Sequence, residues 1–195
     1  KVVPKNNLIL APMAGVTTSS FRKICLKHGA GIVYAEMISD KGLEYNNEKT
    51  LKMIEIDEDE HPIAMQVFGS SYETITPSVA KIIERSNVDI IDVNMGCPVN
   101  KVVKGTDGAA LMRNVELAEE IVKTIKSQIS IPLSVKFRLG YTFDELNYVE
   151  YGQRMQVAGA DFITIHGRTR SQMYGGKADW KKIAELKRNV DIPVF

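Results

Sequence analysis

Cys97 stands between Gly96 and Pro98 in the stretch VNMGCPVNKVVKG (residues 93–105), just past the apolar run VDIIDV. A free cysteine is most often a small buried hydrophobe. A glycine and a proline on either side of it describe a loop instead, and a thiol on a loop can trade its proton. With an ordinary pKa near ~8.5 it is mostly protonated at neutral pH and suited to act as a general acid. Lys136 raises a second question, because it lies in the otherwise apolar run PLSVKFRLG (132–140). An unpaired ammonium is costly to bury there, and an oxygen of a bound ligand would offset that cost. Pro12, Met13 and Ala14, then Glu36, Gln66 and Asn94, then Arg138 and His166 with Arg168, likewise fall at the ends of apolar runs. This set holds no nucleophilic triad, no paired carboxylates of a glycosidase and no acidic cluster for Mg²⁺. His28, His61 and His166 lack metal-ligand spacing and Cys25 lies far from Cys97, so no metal is expected. A thiol among cations and amides fits a site whose hard chemistry belongs to a bound cofactor.

Those residues need elements to hold them, and short β-rich runs supply seven strands: residues 8–11, 31–37, 63–69, 88–95, 132–140, 161–167 and 192–195. Most are continuously apolar, as in parallel strands covered on both faces. Helix signals fill the gaps. Thr18 or Ser19 can cap FRKICLKH before Gly29, with Cys25 in its core, and Pro77 suits the first turn of PSVAKIIERS. Asn114 can cap a helix that buries Leu117, Ile121, Val122 and Ile125, and Asp144 can open another that stops at Gly159. The pattern is βα six times and then a seventh strand, which suits a doubly wound sheet or a (β/α)8 TIM barrel of α/β class. The turn after the first strand, APMAGVTTSS, has neither G-x-G-x-x-G nor a Walker lysine. The barrel is therefore favoured, and chemistry should gather at the C-terminal strand ends.

A chain of 195 residues with 44% hydrophobic content can bury one core, and no apolar run reaches the roughly 18 residues of a membrane span. The N-terminal KVVPKNNLIL lacks the layout of a signal peptide, so a cytoplasmic protein without a membrane partner is expected. The net charge of +1 hides an uneven spread: residues 36–60 hold nine acids against three lysines, and residues 166–188 hold seven lysines and arginines against two acids. Such a spread permits an anionic partner, although solvated helix faces are the commoner explanation of any single run.

Five stretches, APMAGVTTSSFR, QVFGSSYE, DVNMGCPVNKVVKGTDGAALM, VKFRLGY and TIHGRTRSQMYGGKADW, together resemble the tRNA-dihydrouridine synthases, most of all the bacterial B subgroup, in order and spacing from about residue 8 to the last residue. The resemblance implies an FMN-dependent TIM-barrel enzyme that uses NADPH to reduce the C5–C6 double bond of particular uridines in tRNA. Hydride addition at C6 of the uracil leaves negative charge at C5 and O4, and a proton from the opposite face must quench it. Cys97 resembles the residue that supplies this proton. By the same likeness Lys136 stands on the N1/O2 side of the flavin, where a cation stabilises the reduced, anionic ring. Pro12, Met13, Ala14, Gln66 and His166 resemble further flavin contacts, although His166 by itself also reads as a hydrogen-bonded core histidine. Asn94, Arg138 and Tyr174 resemble contacts to a target nucleotide flipped into the site. Lys101, Lys104, Arg168 and Arg170 read as phosphate contacts near its mouth. An FMN barrel acting on a free pyrimidine, of the dihydroorotate dehydrogenase kind, shares the hydride logic but lacks the basic HGRTRSQMYGG segment. A non-catalytic RNA-binding barrel would have no use for both Cys97 and Lys136.

The resemblance also sets an expectation of extent. Residues 1–195 read as a catalytic domain that stops within the seventh strand. The glycine-rich phosphate turns, the eighth strand and a C-terminal helical tRNA-binding domain would lie outside the chain, leaving the flavin site incomplete. The full-length protein is expected to be a monomer.

Overall fold

All seven apolar runs enter parallel pairing in the computed structural model, which describes residues 2–195. The strands are β1 (Ile9–Leu10), β2 (Ile32–Tyr34), β3 (Ile38–Ser39), β4 (Ile63–Phe68), β5 (Ile90–Met95), β6 (Leu133–Arg138) and β7 (Phe162–His166). Their order is β1-β2-β4-β5-β6-β7, and Val194 extends it by bridging in parallel to Ile163. Space follows chain order with no reversal, which excludes the doubly wound sheet and leaves the wall of a barrel. β2 and β3 both pair with β4, at Val33↔Ile63 and Ile38↔Val67, so the run over 31–37 is one strand interrupted at 35–37.

The crossovers are α1 (Ser19–Lys27), α2 (Asp40–Glu44), α3 (Glu48–Met53), α4 (Tyr72–Arg85), α5 (Asn100–Val103), α6 (Val115–Lys126), α7 (Tyr148–Val157) and α8 (Trp180–Arg188), with short 3₁₀ turns at 58–60 and 108–113. The carboxamide oxygen of Asn114 caps α6 by accepting the Leu117 N–H at 3.2 Å, and Ile121, Val122 and Ile125 are buried, with Leu117 half-buried. One helix lacks the side-chain cap read from the sequence, and two start elsewhere. Thr18 precedes α1 but its side chain makes no cap, and Ser19 turns away to donate to Glu60 at 2.7 Å. α4 starts at Tyr72 under a Ser71 cap, which moves Pro77 into the second turn, where its missing N–H removes the bond to the Glu73 carbonyl. α7 starts at Tyr148 rather than Asp144, because the chain first folds back in an antiparallel bridge between Gly140 and Leu146.

The two faces of the sheet are buried differently. Met65, Val67, Ile91, Val93, Val135 and Phe137 face the helices in one continuous apolar cluster, each such side chain contributing about 1.5–3 kcal/mol by leaving water. On the inner face Ile32, Tyr34, Ala64, Ile90 and Phe162 form a separate floor, joined by Ile9 and Phe195 from the two edges of the sheet. Moving from this floor toward the C-terminal strand ends, the inward positions turn polar. Register sets Gln66 beside Asp92 and Asp92 beside Ser134, then Asn94 beside Lys136 and Arg138 beside His166.

Candidate active site

At those strand ends a cavity of about 610 Å³ opens, within the roughly 300–1,000 Å³ typical of small-molecule sites. Its apolar lining comes from Pro12, Met13, Ala14 and Val16 in the loop after β1, with Met37 from the interruption between β2 and β3. Its polar lining comes from Gln66, Asn94, Lys136, Arg138 and His166, and Cys97 and Tyr174 complete it. Every one of the cofactor, substrate and catalytic candidates read from sequence, from Pro12 to Tyr174, therefore lines a single cavity.

The β1 loop is held from beneath. Fully buried Thr17 donates its hydroxyl to the Met13 carbonyl at 3.1 Å and accepts the Met13 N–H at 3.2 Å. Arg22 donates to the Thr17 carbonyl at 2.7 Å and pairs with Glu60, both side chains being buried. The Gly15 N–H donates to Glu36.

The Cys97 loop is held from two sides. Asn94 Oδ1 accepts the N–H groups of Gly96 at 3.1 Å and Cys97 at 2.9 Å. Ala109 donates its N–H to the Cys97 carbonyl at 3.1 Å. Glycine is needed at Gly108 and permits a close approach at Gly96. A Cβ on Gly96 would sit 3.3 Å from Phe137 Cα, and Gly108, at φ +59°, would press a Cβ to 2.9 Å from the Cys97 carbonyl. The thiol is buried, and burial pushes its pKa up against the opposing pull of the Val99 backbone, Arg138 and Lys136. It is protonated at neutral pH.

Gln66 Oε1 accepts from Asn94 Nδ2 at 2.7 Å, and Gln66 Nε2 donates to Asp92 Oδ2 at 2.6 Å. Ser134 donates its hydroxyl to the other Asp92 oxygen. Burial raises the Asp92 carboxyl to about 6, although Ser134, Gln66 and the Lys136 charge all favour its ionised form. Burial also lowers the Lys136 pKa, which Asp92 partly restores. Among the described residues no ion pair closes on Lys136.

Arg138 is a brace as well as a lining residue. Its Nε donates to the Gly96 carbonyl at 2.7 Å, and its Nη1 to the carbonyls of Thr169 at 3.0 Å and Met173 at 2.8 Å, which ties the Cys97 loop to the loop after β7. His166 Nε2 lies 3.0 Å from Arg168 Nη1. A guanidinium only donates, so Nε2 accepts and the proton of the neutral ring sits on Nδ1. Burial, with Arg138, Lys136 and Arg168 adding to it, draws the His166 pKa down to about 4, so neutral is its state at physiological pH. The exposed Tyr174 ring stands 6.1 Å from the His166 ring. Lys101 and Lys104 are exposed, whereas Arg168 also binds the Gly175 and Gly176 carbonyls and Arg170 donates to Asn100 at 2.5 Å.

Asp92, Ser134 and Met37 were missed in the sequence. For Asp92 the signal was there: an acid in an apolar strand, two residues before Asn94, poses the same burial problem as Lys136. Met37 carried none, because its place depends on the break between β2 and β3. Among the described residues no group of His, Cys, Asp and Glu is arranged to hold a metal.

Parallel strands in chain order, with a polar-lined cavity at their C-terminal ends, define the TIM-barrel class of enzyme. The solved structure of nitroalkane oxidase from Streptomyces ansochromogenes shares this fold, with a TM-score of 0.52 and 16% identity over 96% of this chain and 56% of that one. The family model for dihydrouridine synthase (Dus) matches residues 9–195, and the chain belongs to that family. It is 39% identical over 192 residues to the probable tRNA-dihydrouridine synthase 1 of Synechocystis sp., covering 97% of this chain and 53% of that protein. To tRNA-dihydrouridine synthase B of Pseudomonas aeruginosa it is 38% identical over 191 residues, covering 97% and 57%. The chain spans about half the length of the curated relatives it matches.

Proposed function

We propose that this protein is a tRNA-dihydrouridine synthase, reducing the C5–C6 double bond of uridine in tRNA with FMN as its bound cofactor and NADPH as the reductant. The observation that carries the reading is a buried, protonated thiol, Cys97, lining the same cavity as Lys136, a cation that no ion pair among the described residues neutralises. The donor set fits a flavin. Pro12, Met13 and Ala14 offer an apolar surface to a planar ring, Lys136 a cation to its N1/O2 side, and His166 an Nδ1–H to an acceptor. A bound flavin would supply the hydride added at uracil C6.

The residues of this chain do the rest. Cys97 protonates C5: its S–H bond breaks as the C5–H bond forms, leaving a thiolate that the charges of Arg138 and Lys136 favour. Burial keeps the proton in place until then. Asn94 has both lone pairs of Oδ1 committed to the Cys97 turn, so it would meet the base through its remaining N–H, which faces Met37 Sδ at 3.8 Å. Nη2 of Arg138, which donates to none of the described residues, and the exposed ring of Tyr174 would complete that contact, and exposed Lys101 and Lys104 would meet phosphates. Such a substrate implies a cytoplasmic protein; among the described residues no helix is long and apolar enough to cross a membrane.

The test is a flavin absorption spectrum of the full-length protein, followed by dihydrouridine content after incubation with NADPH and either tRNA or free uridine. A flavin spectrum and tRNA-dependent product are expected. A colourless protein, or turnover of the free pyrimidine instead of tRNA, would overturn the reading.

A further inference from the structure

We propose that Asp92 is a positioning residue for Cys97, acting through Gln66 and Asn94. The inference rests on the reading of Cys97 as proton donor only where activity is measured. Asp92 does not line the cavity, yet a directional chain of hydrogen bonds leads from it to the Cys97 backbone. A carboxylate only accepts, so Gln66 must turn Nε2 toward Asp92 and Oε1 toward Asn94. Asn94 must then turn Nδ2 toward Gln66, which leaves Oδ1 for the N–H groups of Gly96 and Cys97.

A side-chain amide can present either its oxygen or its nitrogen to a neighbour. Here both ends of the chain impose the same answer: an acceptor-only carboxylate at one, two donor-only backbone groups at the other. Were Asn94 to flip, its Nδ2 would face the N–H groups of Gly96 and Cys97; were Gln66 to flip, its Nε2 would face Asn94 Nδ2 and its Oε1 the Asp92 carboxylate. Ser134 secures the carboxylate by donating to its second oxygen, and the Tyr34 hydroxyl continues that arm at 3.4 Å from Ser134 Oγ. A buried carboxylate held by neutral donors is a poor way to stabilise a barrel interior. Setting the polarity of two amides is something that an apolar residue at position 92 would not do.

The test uses the full-length protein and mass-spectrometric quantification of Cys97 alkylation by iodoacetamide across pH, with dihydrouridine formation alongside. Asp92→Leu removes the acceptor, loosens the turn and should speed Cys97 alkylation by about fivefold while slowing tRNA reduction by about tenfold, typical of coupled neighbours. In the Asn94→Ala background the same substitution should add nothing to either readout. Asp92→Asn keeps an oxygen to face Gln66 and should restore the wild-type alkylation profile. Effects that add across Asp92 and Asn94, or an unchanged alkylation profile in folded Asp92→Leu, would overturn the proposal. If Asp92→Leu does not fold, Gln66→Met interrupts the chain one residue nearer and must give the same faster alkylation. Failure of the proton-donor reading is distinguishable, since it would appear as full tRNA reduction by Cys97→Ala whatever the alkylation data say.

Discussion

β5 carries two chemistries on one strand. Ile91, Val93 and Met95 face the helices and are fully buried among apolar neighbours, whereas Ile90, Asp92 and Asn94 face the interior and pass from the apolar floor to a hydrogen-bonded amide. β6 repeats the division, with Leu133, Val135 and Phe137 outward and Ser134, Lys136 and Arg138 inward. The outer face is packed as any α/β core is packed. The inner face buries a carboxylate and half-buries a cation with no ion pair between them, which costs stability. Stability and chemistry are thus assigned to opposite sides of the same hydrogen-bonded ladder, and substitutions on the two sides should separate them.

The largest separation is expected at Cys97. Replacing it with alanine removes one sulfur and its contact with the Val99 backbone, while the loop's own backbone N–H and carbonyl stay held by Asn94 and Ala109. tRNA reduction should fall by about 10²- to 10⁴-fold, the usual worth of general acid catalysis, while flavin content and NADPH oxidation persist. Dihydrouridine quantification on several tRNAs checks this, and a wild-type rate would remove Cys97 from the mechanism. The opposite case is Phe137→Ala on the outer face. The ring is fully buried and packs 5.0 Å from that of Tyr151, so its loss should destabilise the fold by about 3–5 kcal/mol. Denaturant unfolding measures that, and the Cys97 alkylation profile should stay unchanged in the folded variant. A changed profile would mean that the two faces are coupled through Gly96, whose backbone abuts Phe137.

Much of this division was legible in the sequence. The strand ends were, because apolar runs bounded by Gly and Pro mark them, and the residues beyond them converge on one cavity once the strands lie parallel. The family likeness, not periodicity, selected which of those residues to name. What stayed hidden depends on contacts distant in sequence. The start of α7 is delayed by the fold-back between Gly140 and Leu146, and the break between β2 and β3 exists because both halves register against β4. Asp92 differs: an acid in an apolar run carries a sequence signal, but its partners, Gln66 and Ser134, are set only by the register of β4 and β6 against β5.

A smaller effect is expected at Lys136. Lys136→Met roughly keeps the volume and removes a desolvated cation that no described carboxylate pairs with. Unfolding free energy should hold or rise by about 1 kcal/mol, as when buried charge gives way to packed apolar volume. Flavin retention and the flavin reduction potential should both fall. Unchanged retention together with an unchanged potential would place Lys136 away from the flavin, and a large loss of stability would show that this inner residue belongs with the packing face after all.

The smallest effect is one of pH, and it comes from two inner residues that oppose each other. His166 is drawn down to about 4 in the folded protein, against an ordinary value near ~6.5. Between those values the unfolded chain binds the proton and the folded one does not, so this residue makes stability rise with pH across that window. Asp92 is pushed up to about 6 from its ordinary 3.8. Over nearly the same window the folded protein binds the extra proton, so Asp92 makes stability fall as pH rises. Wild type should therefore show little of either. His166→Gln leaves the Asp92 contribution alone and should lose less stability than wild type on going from about pH 6.5 to about pH 4.5; Asp92→Asn leaves the His166 contribution and should lose more. Other titrating groups cancel in these differences, so unfolding free energies of the three proteins at the two pH values are sufficient. Identical losses in wild type and His166→Gln would mean that His166 takes up its proton in the folded state as readily as in the unfolded one. The inner face would then be more open to water at the β7 end than its hydrogen bond from Arg168 implies.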